Sequence, residues 1–461
     1  MLIYYIIKQR FKIIKKFMKK HIHFIGIGGI GVSALAQYYL SLGFKVSGSD
    51  LNSSEITELL KKKGAEIFIG PHFEKNIKEP IDMVIYSPAV KKNNPELKKA
   101  KEIQRRNSHL KILSYPQALG ELTKKYFTIA ISGTHGKSTT TAMTSLILEK
   151  AGFDPTVIIG TKLKEFDNSN FRLGKSKYLI IEADEWQASF LNYWPQIIVI
   201  TNIEKEHLDY YKNLKQILET YKKYIKHLPK NGFLIINKDD KNIKKIISEF
   251  KDYIFFIKEV SIKDKEAEKI EEILKVPGKH NVFNALCALS VARILNISDE
   301  ISFKALSKYK GAWRRFEEKK IKINKKNINV IFDYAHHPTE INATLKATRE
   351  KFKNKRIVCI FQPHQYQRTY YLFNDFVKVF KEAKIDKIII TDIYDVAGRE
   401  KINIKEKINS EKLVKKINKK TVIYLPKNKI LNYLEKNLNK NDILIIMGAG
   451  DIYQFFNKSI L

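Results

Sequence analysis

The segment Gly133-Thr134-His135-Gly136-Lys137-Ser138-Thr139 lies between an apolar run, Tyr126–Ile131, and a run of helix-like composition, Thr140–Leu148. A strand, a glycine loop, a lysine, a hydroxyl residue and a helix, in this order, are typical of a nucleoside-triphosphate site. Glycines let backbone N–H groups approach phosphate oxygens, and the helix N-terminus adds partial positive charge. The longer pattern G-x-x-x-x-G-K-[ST] would require glycine at Ile131, so the match is to a shortened form. The segment predicts phosphate binding, with an ordinary glycine-rich turn as the alternative.

The rest of the chain alternates β-rich apolar runs with helical patterns, which predicts an α/β fold with parallel sheets and crossover helices. We expect three domains: a Rossmann-like N-terminal domain (21–124), a central P-loop ATPase domain (125–312) and a Rossmann-like C-terminal α/β domain (313–461). The predicted strands are His21–Ile27, Lys45–Ser49, Glu66–Ile69, Met83–Ser87 and Lys111–Ser114 in the first domain, Phe127–Ser132, Tyr178–Ile181, Ile197–Ile200, Phe233–Ile236 and Tyr253–Ile257 in the second, and Asn329–Phe332, Arg356–Phe361, Lys387–Thr391, Thr421–Tyr424 and Asp442–Met447 in the third.

The chain of 461 residues is strongly basic, with 84 Lys and Arg against 49 Asp and Glu and a net charge of +35. A nucleic-acid-binding protein would gather this charge in one patch. The lysines are instead spread along the sequence, which favours solvated surfaces and predicts no nucleic-acid partner. The two cysteines, Cys287 and Cys359, lie in apolar runs without disulfide or metal spacing, as expected for buried thiols in the cytoplasm.

Residues 1–20 form a basic N-terminal extension with seven basic residues and no acidic one. Its longest uncharged stretch, Met1–Ile7, is too short for a membrane span or a signal-peptide core. We therefore expect no integral membrane association. The extension is either an amphipathic helix on a membrane surface, an unstructured segment, or the product of an upstream start codon with Met18 as the working start.

A second glycine turn follows the first predicted strand. Its sequence is Gly26-Ile27-Gly28-Gly29-Ile30-Gly31, and Asp50 ends the next strand 22 positions after Gly28. This G-x-G-x-x-G turn with a following acid is the dinucleotide-fold fingerprint, with a tight helix–strand packing turn as the alternative. Two phosphate-type loops in separate domains favour an ATP-driven reaction on a substrate that itself carries a nucleotide.

Reactive side chains follow three predicted strands of the central domain. Lys137 and Ser138 follow the first, Glu182-Ala183-Asp184-Glu185 ends the second, and Thr201–His207 ends the third. Ligands of open α/β sheets bind at the carboxyl ends of strands. A hydroxyl, a carboxylate and an imidazole at these ends predict a site for Mg²⁺ and the γ-phosphate.

Taken with further motifs, this set resembles the Mur ligase family of ATP-dependent amide-forming enzymes. Three of these motifs are Gly278–Ala285, Asp333–Glu340 with Arg315, and Phe361–Thr369, and the resemblance covers almost everything from His21 onward. It implies Lys137, Glu182 and His207 as catalytic residues and Ser138, Glu182 and His207 as metal ligands. The implied ATP-binding residues are Gly133, Thr134, His135, Gly136, Lys137, Ser138, Thr139, Asn281, Asn284, Arg315 and Asp333. The implied UDP-sugar residues are Gly26, Gly28, Gly29, Gly31, Asp50, Ser87 and Pro88, and the implied L-alanine residues are Tyr334, His364 and Arg368.

The resemblance further implies ATP and Mg²⁺ as cofactors, and UDP-N-acetylmuramate and L-alanine as substrates of a monomer or homodimer. ATP would phosphorylate the muramate carboxylate, and the alanine amine would displace phosphate from the acyl phosphate. The alternatives are attachment of a preformed peptide to the same sugar and, from Gly26–Gly31 alone, an NAD-dependent oxidoreductase. Three segments depart from the family pattern and bear on amino-acid selectivity: Trp186-Gln187, where small or acidic residues are expected, Gln365, where arginine is frequent, and Asp395–Glu400, an imperfect match to the family's proline-containing loop.

Overall fold

The computed structural model describes residues 20–250, 255–324, 326–396 and 402–460. The predicted basic extension, apart from Lys20, and the start of the predicted strand at 253–257 lie outside these residues. Within them, no helix is both long enough and apolar enough to cross a membrane. Both cysteines are buried free thiols, as predicted.

The N-terminal sheet is fully parallel and has the strand order β3-β2-β1-β4-β5. Its elements are β1 His21–Ile25, α1 Ile30–Ser41, β2 Lys45–Asp50, α2 Glu55–Lys62, β3 Glu66–Ile69, β4 Met83–Tyr86, α3 Pro95–Arg106, β5 Lys111–Ser114 and α4 Tyr115–Thr123. The strand order reverses between β1 and β4, where a crevice opens at the carboxyl edge of such sheets. The glycine turn of residues 26–31 follows β1 and therefore lies at this crevice.

The central sheet has seven strands in the order β12-β11-β10-β6-β9-β7-β8, parallel except for β8. Its elements are β6 Phe127–Ser132, α5 Lys137–Lys150, β7 Thr156–Leu163, β8 Ser169–Arg172, β9 Tyr178–Glu182, β10 Ile197–Ile200, α6 Leu214–Ile225, β11 Phe233–Asn237, α7 Lys241–Ile247, β12 Phe256–Val260, α8 Glu266–Ile273, α9 Lys279–Ile294 and α10 Asp299–Leu306. Since β6 lies between β10 and β9, the three strands that end in reactive side chains are neighbours.

The C-terminal sheet has the order β13-β14-β18-β15-β16-β17, with β13 antiparallel to β14 and the other pairs parallel. Its elements are β13 Glu317–Ile323, β14 Lys326–Asp333, α11 Pro338–Lys351, β15 Ile357–Phe361, α12 Tyr366–Tyr371, α13 Phe373–Glu382, β16 Lys387–Ile390, α14 Ile402–Lys405, α15 Ser410–Ile417, β17 Val422–Tyr424, α16 Ile430–Asn437, β18 Ile443–Met447 and α17 Ile452–Ile460. The three sheets confirm the predicted three-domain α/β class, whereas the limits 21–124, 125–312 and 313–461 remain predictions.

The N-terminal and central sheets share one apolar core. Buried residues of α1 and α4, such as Tyr38 and Leu122, belong to the same cluster as Tyr221 and Tyr224 of α6. Helices α5 and α9 cover the opposite face of the central sheet with a separate buried cluster. Polar contacts also join the N-terminal and central domains: the Gln37 amide donates to Asn170 Oδ1 at 2.7 Å. The phosphate loop therefore rests on a sheet that is packed on both faces, which gives it a rigid base.

Candidate active site

The phosphate loop connects β6 to α5 and needs glycine at two positions. Gly133 and Gly136 have φ values of +126° and +84°. A Cβ at Gly133 would lie 2.1 Å from Thr201 Oγ1, and one at Gly136 would lie 2.4 Å from Asn284 Oδ1. Asn202, in the segment that follows β10, holds the loop in place. Its Oδ1 accepts the His135 N–H at 2.9 Å, and its carbonyl accepts the Thr134 N–H at 3.0 Å. The loop is thus shaped by neighbours that its own sequence does not reveal.

Replacing Gly136 with alanine is expected to weaken ATP binding about tenfold or more. The positive φ strains any Cβ by roughly 1–2 kcal/mol, and the contact with Asn284 must open as well. Gly152→Ala is the matched control: its φ is +80°, but nothing lies within 4 Å of the added Cβ. Calorimetric titration with a non-hydrolysable ATP analogue checks this. Equal affinities of the two variants would contradict it.

Lys137, at the start of α5, is half-buried and contacts several oxygen atoms. Its Nζ donates to the Gly133 carbonyl at 2.7 Å and to Glu185 Oε2 at 3.1 Å. Burial lowers the pKa of Lys137, but Glu185 and Asp184 outweigh this effect and raise it above its usual value. The ammonium is therefore charged at neutral pH. Glu185, whose side chain is 2% exposed, is a site residue that was not predicted individually.

Glu182 ends β9 beside the loop. Its Oε1 accepts the Gly160 N–H at 2.7 Å. Burial raises the pKa of this carboxyl, while the Gly160 hydrogen bond, Arg315 and Ser138 act in the opposite direction. Ser138, in the first turn of α5, accepts a 3.4 Å hydrogen bond from Arg315 Nη2. The predicted pair Ser138 and Glu182 is thus brought together at one edge of the site.

His207 lies in the loop after β10, in a left-handed conformation with φ +54°. Its Nε2 is 3.7 Å from Asp184 Oδ1 and 3.8 Å from Glu185 Oε1, and the ligand atoms of these three residues lie within 4.8 Å of one another. The structure therefore groups His207 with Asp184 and Glu185, and Glu182 is not one of this group.

Mg²⁺ fits the donor set at these strand ends. Magnesium prefers carboxylate and hydroxyl oxygens, and Ser138, Glu182, Asp184 and Glu185 supply them. Glu185 Oε1 is buried and makes no hydrogen bond within the described residues, and a buried carboxylate oxygen without a partner is stabilised by a cation. We therefore expect Glu185 to be a further ligand beside the predicted Ser138, Glu182 and His207.

A cavity of about 440 Å³ opens beside the loop. The predicted ATP residues that line it are His135, Gly136, Ser138, Thr139, Asn281, Asn284, Arg315 and Asp333. Asp333 accepts the backbone N–H groups of Phe316 and Ala335 at 2.9 and 2.7 Å, and burial raises its pKa to about 6. Sequence reasoning missed the lining residue Tyr309, which no charge or motif distinguishes from an ordinary core aromatic, and it did not assign a role to Phe283 within the motif Gly278–Ala285.

The predicted alanine-binding residues lie on the C-terminal domain, and Arg368 lines a small separate pocket together with His207 of the central domain. Arg368 forms an ion pair with Glu206. Arg368 Nε and Nη2 donate hydrogen bonds to Glu206 Oε1 at 3.0 and 2.8 Å. Arg368 Nη1 donates to the His364 carbonyl at 2.8 Å, and the His336 ring lies between the rings of His364 and Tyr334. The predicted set is thus brought together, with Glu206 as a partner that was not predicted.

The predicted UDP-sugar residues surround the first glycine turn. Asp50 Oδ2 accepts the Gly28 N–H at 2.8 Å, so this carboxylate fixes the turn. A Cβ at Gly26 would lie 3.0 Å from Ser87 Cβ, which places the turn against the loop after β4. Pro88 lines a separate cavity of about 590 Å³ that reaches Gln187 of the central domain. This groove is therefore lined by residues of both the N-terminal and the central domain.

Comparisons with known proteins agree with this arrangement. The models described as "Mur ligase family, catalytic domain", "Mur ligase middle domain" and "Mur ligase, glutamate ligase domain" match residues 21–127, 131–292 and 314–450. The UDP-N-acetylmuramate–L-alanine ligase of Acetivibrio thermocellus is 44% identical over 94% of this chain and 94% of its own length. That of Clostridium botulinum is 43% identical over 94% of this chain and 96% of its own length.

Solved structures show the same likeness. The crystal structure of UDP-N-acetylmuramate–alanine ligase from Thermotoga maritima has a TM-score of 0.74 at 29% identity, covering 95% of this chain and 97% of that chain. A murein peptide ligase from Psychrobacter arcticus has a TM-score of 0.70 at 23% identity, covering 95% and 98%, and shows the fold alone. The family models match all three sheets, and the relatives are similar over nearly the whole chain. The chain therefore belongs to the Mur ligase family.

Proposed function

We propose that this chain joins L-alanine to the carboxylate of UDP-N-acetylmuramate while ATP is converted to ADP and phosphate. The observation that carries the proposal is that the strands followed by Lys137, Glu182 and His207 are neighbours in the central sheet, beside a cavity that two domains line. The relatives that match over 94% of the chain are named for this reaction.

The chemistry begins with a carboxylate, which does not react with amines at neutral pH. Transfer of the γ-phosphoryl group to a carboxylate oxygen gives an acyl phosphate and ADP. The alanine amine then attacks the acyl carbon and loses a proton. Phosphate leaves with the oxygen that came from the carboxylate, and an amide remains.

Phosphoryl transfer depends on positioning and charge neutralisation. Lys137 is held charged by Glu185 and Asp184, so its ammonium neutralises the phosphate oxygens. Ser138, Glu182, Glu185 and His207 would hold Mg²⁺, which supplies further charge neutralisation when bound. Arg315 already reaches Ser138 from the C-terminal domain, so it adds positive charge at the same point when the domains are in contact.

The substrates would enter from two sides. The turn at Gly26–Gly31 and the loop at Ser87–Pro88 would bind the UDP part, and the groove to Gln187 would lead the muramate carboxylate to the strand ends. Tyr334, His364 and Arg368 would bind alanine, with Arg368 pairing with its carboxylate. The cytoplasmic location and the monomeric or dimeric state stay predictions.

One assay separates the candidate activities: phosphate release from ATP with UDP-N-acetylmuramate and either L-alanine, a preformed tripeptide or no amine. We expect sustained release with L-alanine and background release otherwise. Removing Mg²⁺ with EDTA should return release to background, because the carboxylates at the strand ends would then lack their counter-charge. Release with the tripeptide alone would favour the peptide-attaching activity. The oxidoreductase alternative needs a separate measurement of NADH binding, and absence of NADH fluorescence quenching by the protein would count against it.

A further inference from the structure

A second group of side chains that could hold a metal ion includes His135 of the phosphate loop and is separate from the group of His207. His135 Nε2 is 3.5 Å from Glu204 Oε2, and His337 Nδ1 is 3.7 Å from the same oxygen. The ligand atoms of the three residues lie within 4.8 Å of one another, and the two imidazole centroids are 4.6 Å apart. His135 and Glu204 belong to the central domain, and His337 precedes α11 of the C-terminal domain. The group therefore exists only where the two domains meet.

Each imidazole has a second partner on its far side. His135 Nδ1 lies 3.2 Å from Glu340 Oε1, and His337 Nε2 lies 3.2 Å from the Lys205 carbonyl oxygen. Metal-binding histidines typically donate the remaining ring N–H to a carboxylate or a backbone carbonyl, which orients the ring and fixes the tautomer. The Lys205 contact fixes the His337 tautomer with the proton on Nε2 and the lone pair on Nδ1, the nitrogen that faces Glu204. This lone pair now accepts a 3.3 Å bond from the Thr339 N–H, which a cation at Nδ1 would replace.

Glu204 is held in place in the same way. Its Oε2 accepts the Thr339 hydroxyl at 2.6 Å, which ties the carboxylate to the first turn of α11. Two imidazoles and a carboxylate, each oriented by another group, form a donor set that suits zinc-like cations.

The nitrogens of His135 provide an independent observation. Both are buried and lie near carboxylate oxygens, Nδ1 at 3.2 Å from Glu340 Oε1 and Nε2 at 3.5 Å from Glu204 Oε2, but within the described part of the chain neither contact is aligned as a hydrogen bond. A buried polar atom without an aligned partner is costly, and a cation at Nε2 would remove this cost. His135 and Glu204 also line the nucleotide cavity, so a fourth coordination position would face that cavity.

We propose that His135, Glu204 and His337 form a binding site for a divalent cation of the zinc class. The site is distinct from the Mg²⁺ ligands at the strand ends, since it shares no residue with them. A bound cation would fasten the phosphate loop to α11 and stabilise the contact between the central and C-terminal domains. Because the carboxylates also attract a proton to His135, raising its pKa to about 9 against the lowering effect of burial, zinc and a proton would compete there.

The test is calorimetric titration of the full-length protein with Zn²⁺ in excess Mg²⁺, followed by Co²⁺ absorption to report the ligand geometry. We expect one zinc ion per chain, an affinity at least about tenfold weaker in His337→Ala, and no change in His109→Ala, which removes an exposed histidine. His207→Ala should retain zinc binding, because His207 belongs to the other group.

Glu204→Gln serves as the second variant, since it keeps the side-chain shape and the hydroxyl contact while removing the charge. Melting of the metal-free variants identifies any loss of fold. Equal zinc affinity of the wild type, His337→Ala and Glu204→Gln would overturn the proposal. Absence of zinc binding would also overturn it and would make the group a proton-bridged ionic contact. Loss of zinc binding in His207→Ala alone would overturn it as well.

Discussion

Replacing Lys137 with alanine is expected to reduce phosphate release by on the order of 10³-fold while UDP-N-acetylmuramate still binds. The Lys137 ammonium lies where the phosphate loop joins α5, and the carboxylates of Glu185 and Asp184 keep it charged. Its removal takes away charge neutralisation that is needed most as the γ-phosphoryl group moves. The predicted UDP-sugar residues lie in the N-terminal domain and are not among the hydrogen-bond partners of this side chain, which are Gly133, Thr134 and Glu185. Single-turnover phosphate release and calorimetry of the UDP-sugar measure the two effects separately.

The matched control is Lys150→Ala, at the exposed far end of the same helix, which should leave both quantities unchanged. Since the Lys137 variant leaves the buried Glu185 without its partner, its melting temperature must be measured beside its activity. A folded Lys137→Ala protein that releases phosphate at the wild-type rate would contradict the assignment of the phosphate site.

Replacing Arg368 with alanine is expected to cost about 3–5 kcal/mol of unfolding free energy and to raise the KM for L-alanine strongly. Arg368 and Glu206 are 6% and 7% exposed, so the variant leaves a buried carboxylate uncompensated. Burial raises the pKa of Glu206, but Arg368 outweighs this and holds it well below its usual value. The ion pair therefore stabilises the fold at neutral pH, and this stability is lost as the pH falls through the lowered pKa.

A double variant separates the two roles of Arg368. Arg368→Met with Glu206→Gln should recover most of the unfolding free energy, because no uncompensated charge remains buried. It should not recover the affinity for L-alanine, because the guanidinium that would pair with the substrate carboxylate is absent. Denaturant unfolding and alanine-dependent kinetics measure these outcomes. Recovery of both would show that Arg368 acts only through folding.

Most of the parallel strands and their ends were predictable from the sequence because their signals are local, although β7 and its antiparallel partner β8 were not predicted. An apolar run followed by a glycine loop or by acidic residues marks the carboxyl end of a strand, and parallel strands bring such ends to one edge. Lys137 and Glu182 were found in this way. Strand β13 (Glu317–Ile323) was missed because its lysines and glutamates resemble a solvated surface. In the structure its exposed positions alternate with half-buried or buried ones, such as Ile321, beside β14.

The ion pairs of the site were not predictable because their partners are distant in the chain. Glu206 lies 162 residues before Arg368, and Glu185 lies 48 residues after Lys137. A carboxylate buried by such a pairing has the same local sequence as an exposed one. Their position was the only signal in the sequence. Each glutamate lies in a loop that follows a strand of the central sheet, Glu206 beside the predicted His207 and Glu185 in the same segment as the predicted Glu182.

The central claim, that ATP activates the sugar's carboxylate for attack by alanine, is tested most directly with UDP-N-acetylmuramate labelled with ¹⁸O in its carboxylate. If the carboxylate oxygen bonds to the γ-phosphorus, the phosphate released with ADP carries one ¹⁸O atom for each amide formed. Unlabelled phosphate, or release of AMP and pyrophosphate in place of ADP and phosphate, would contradict the account.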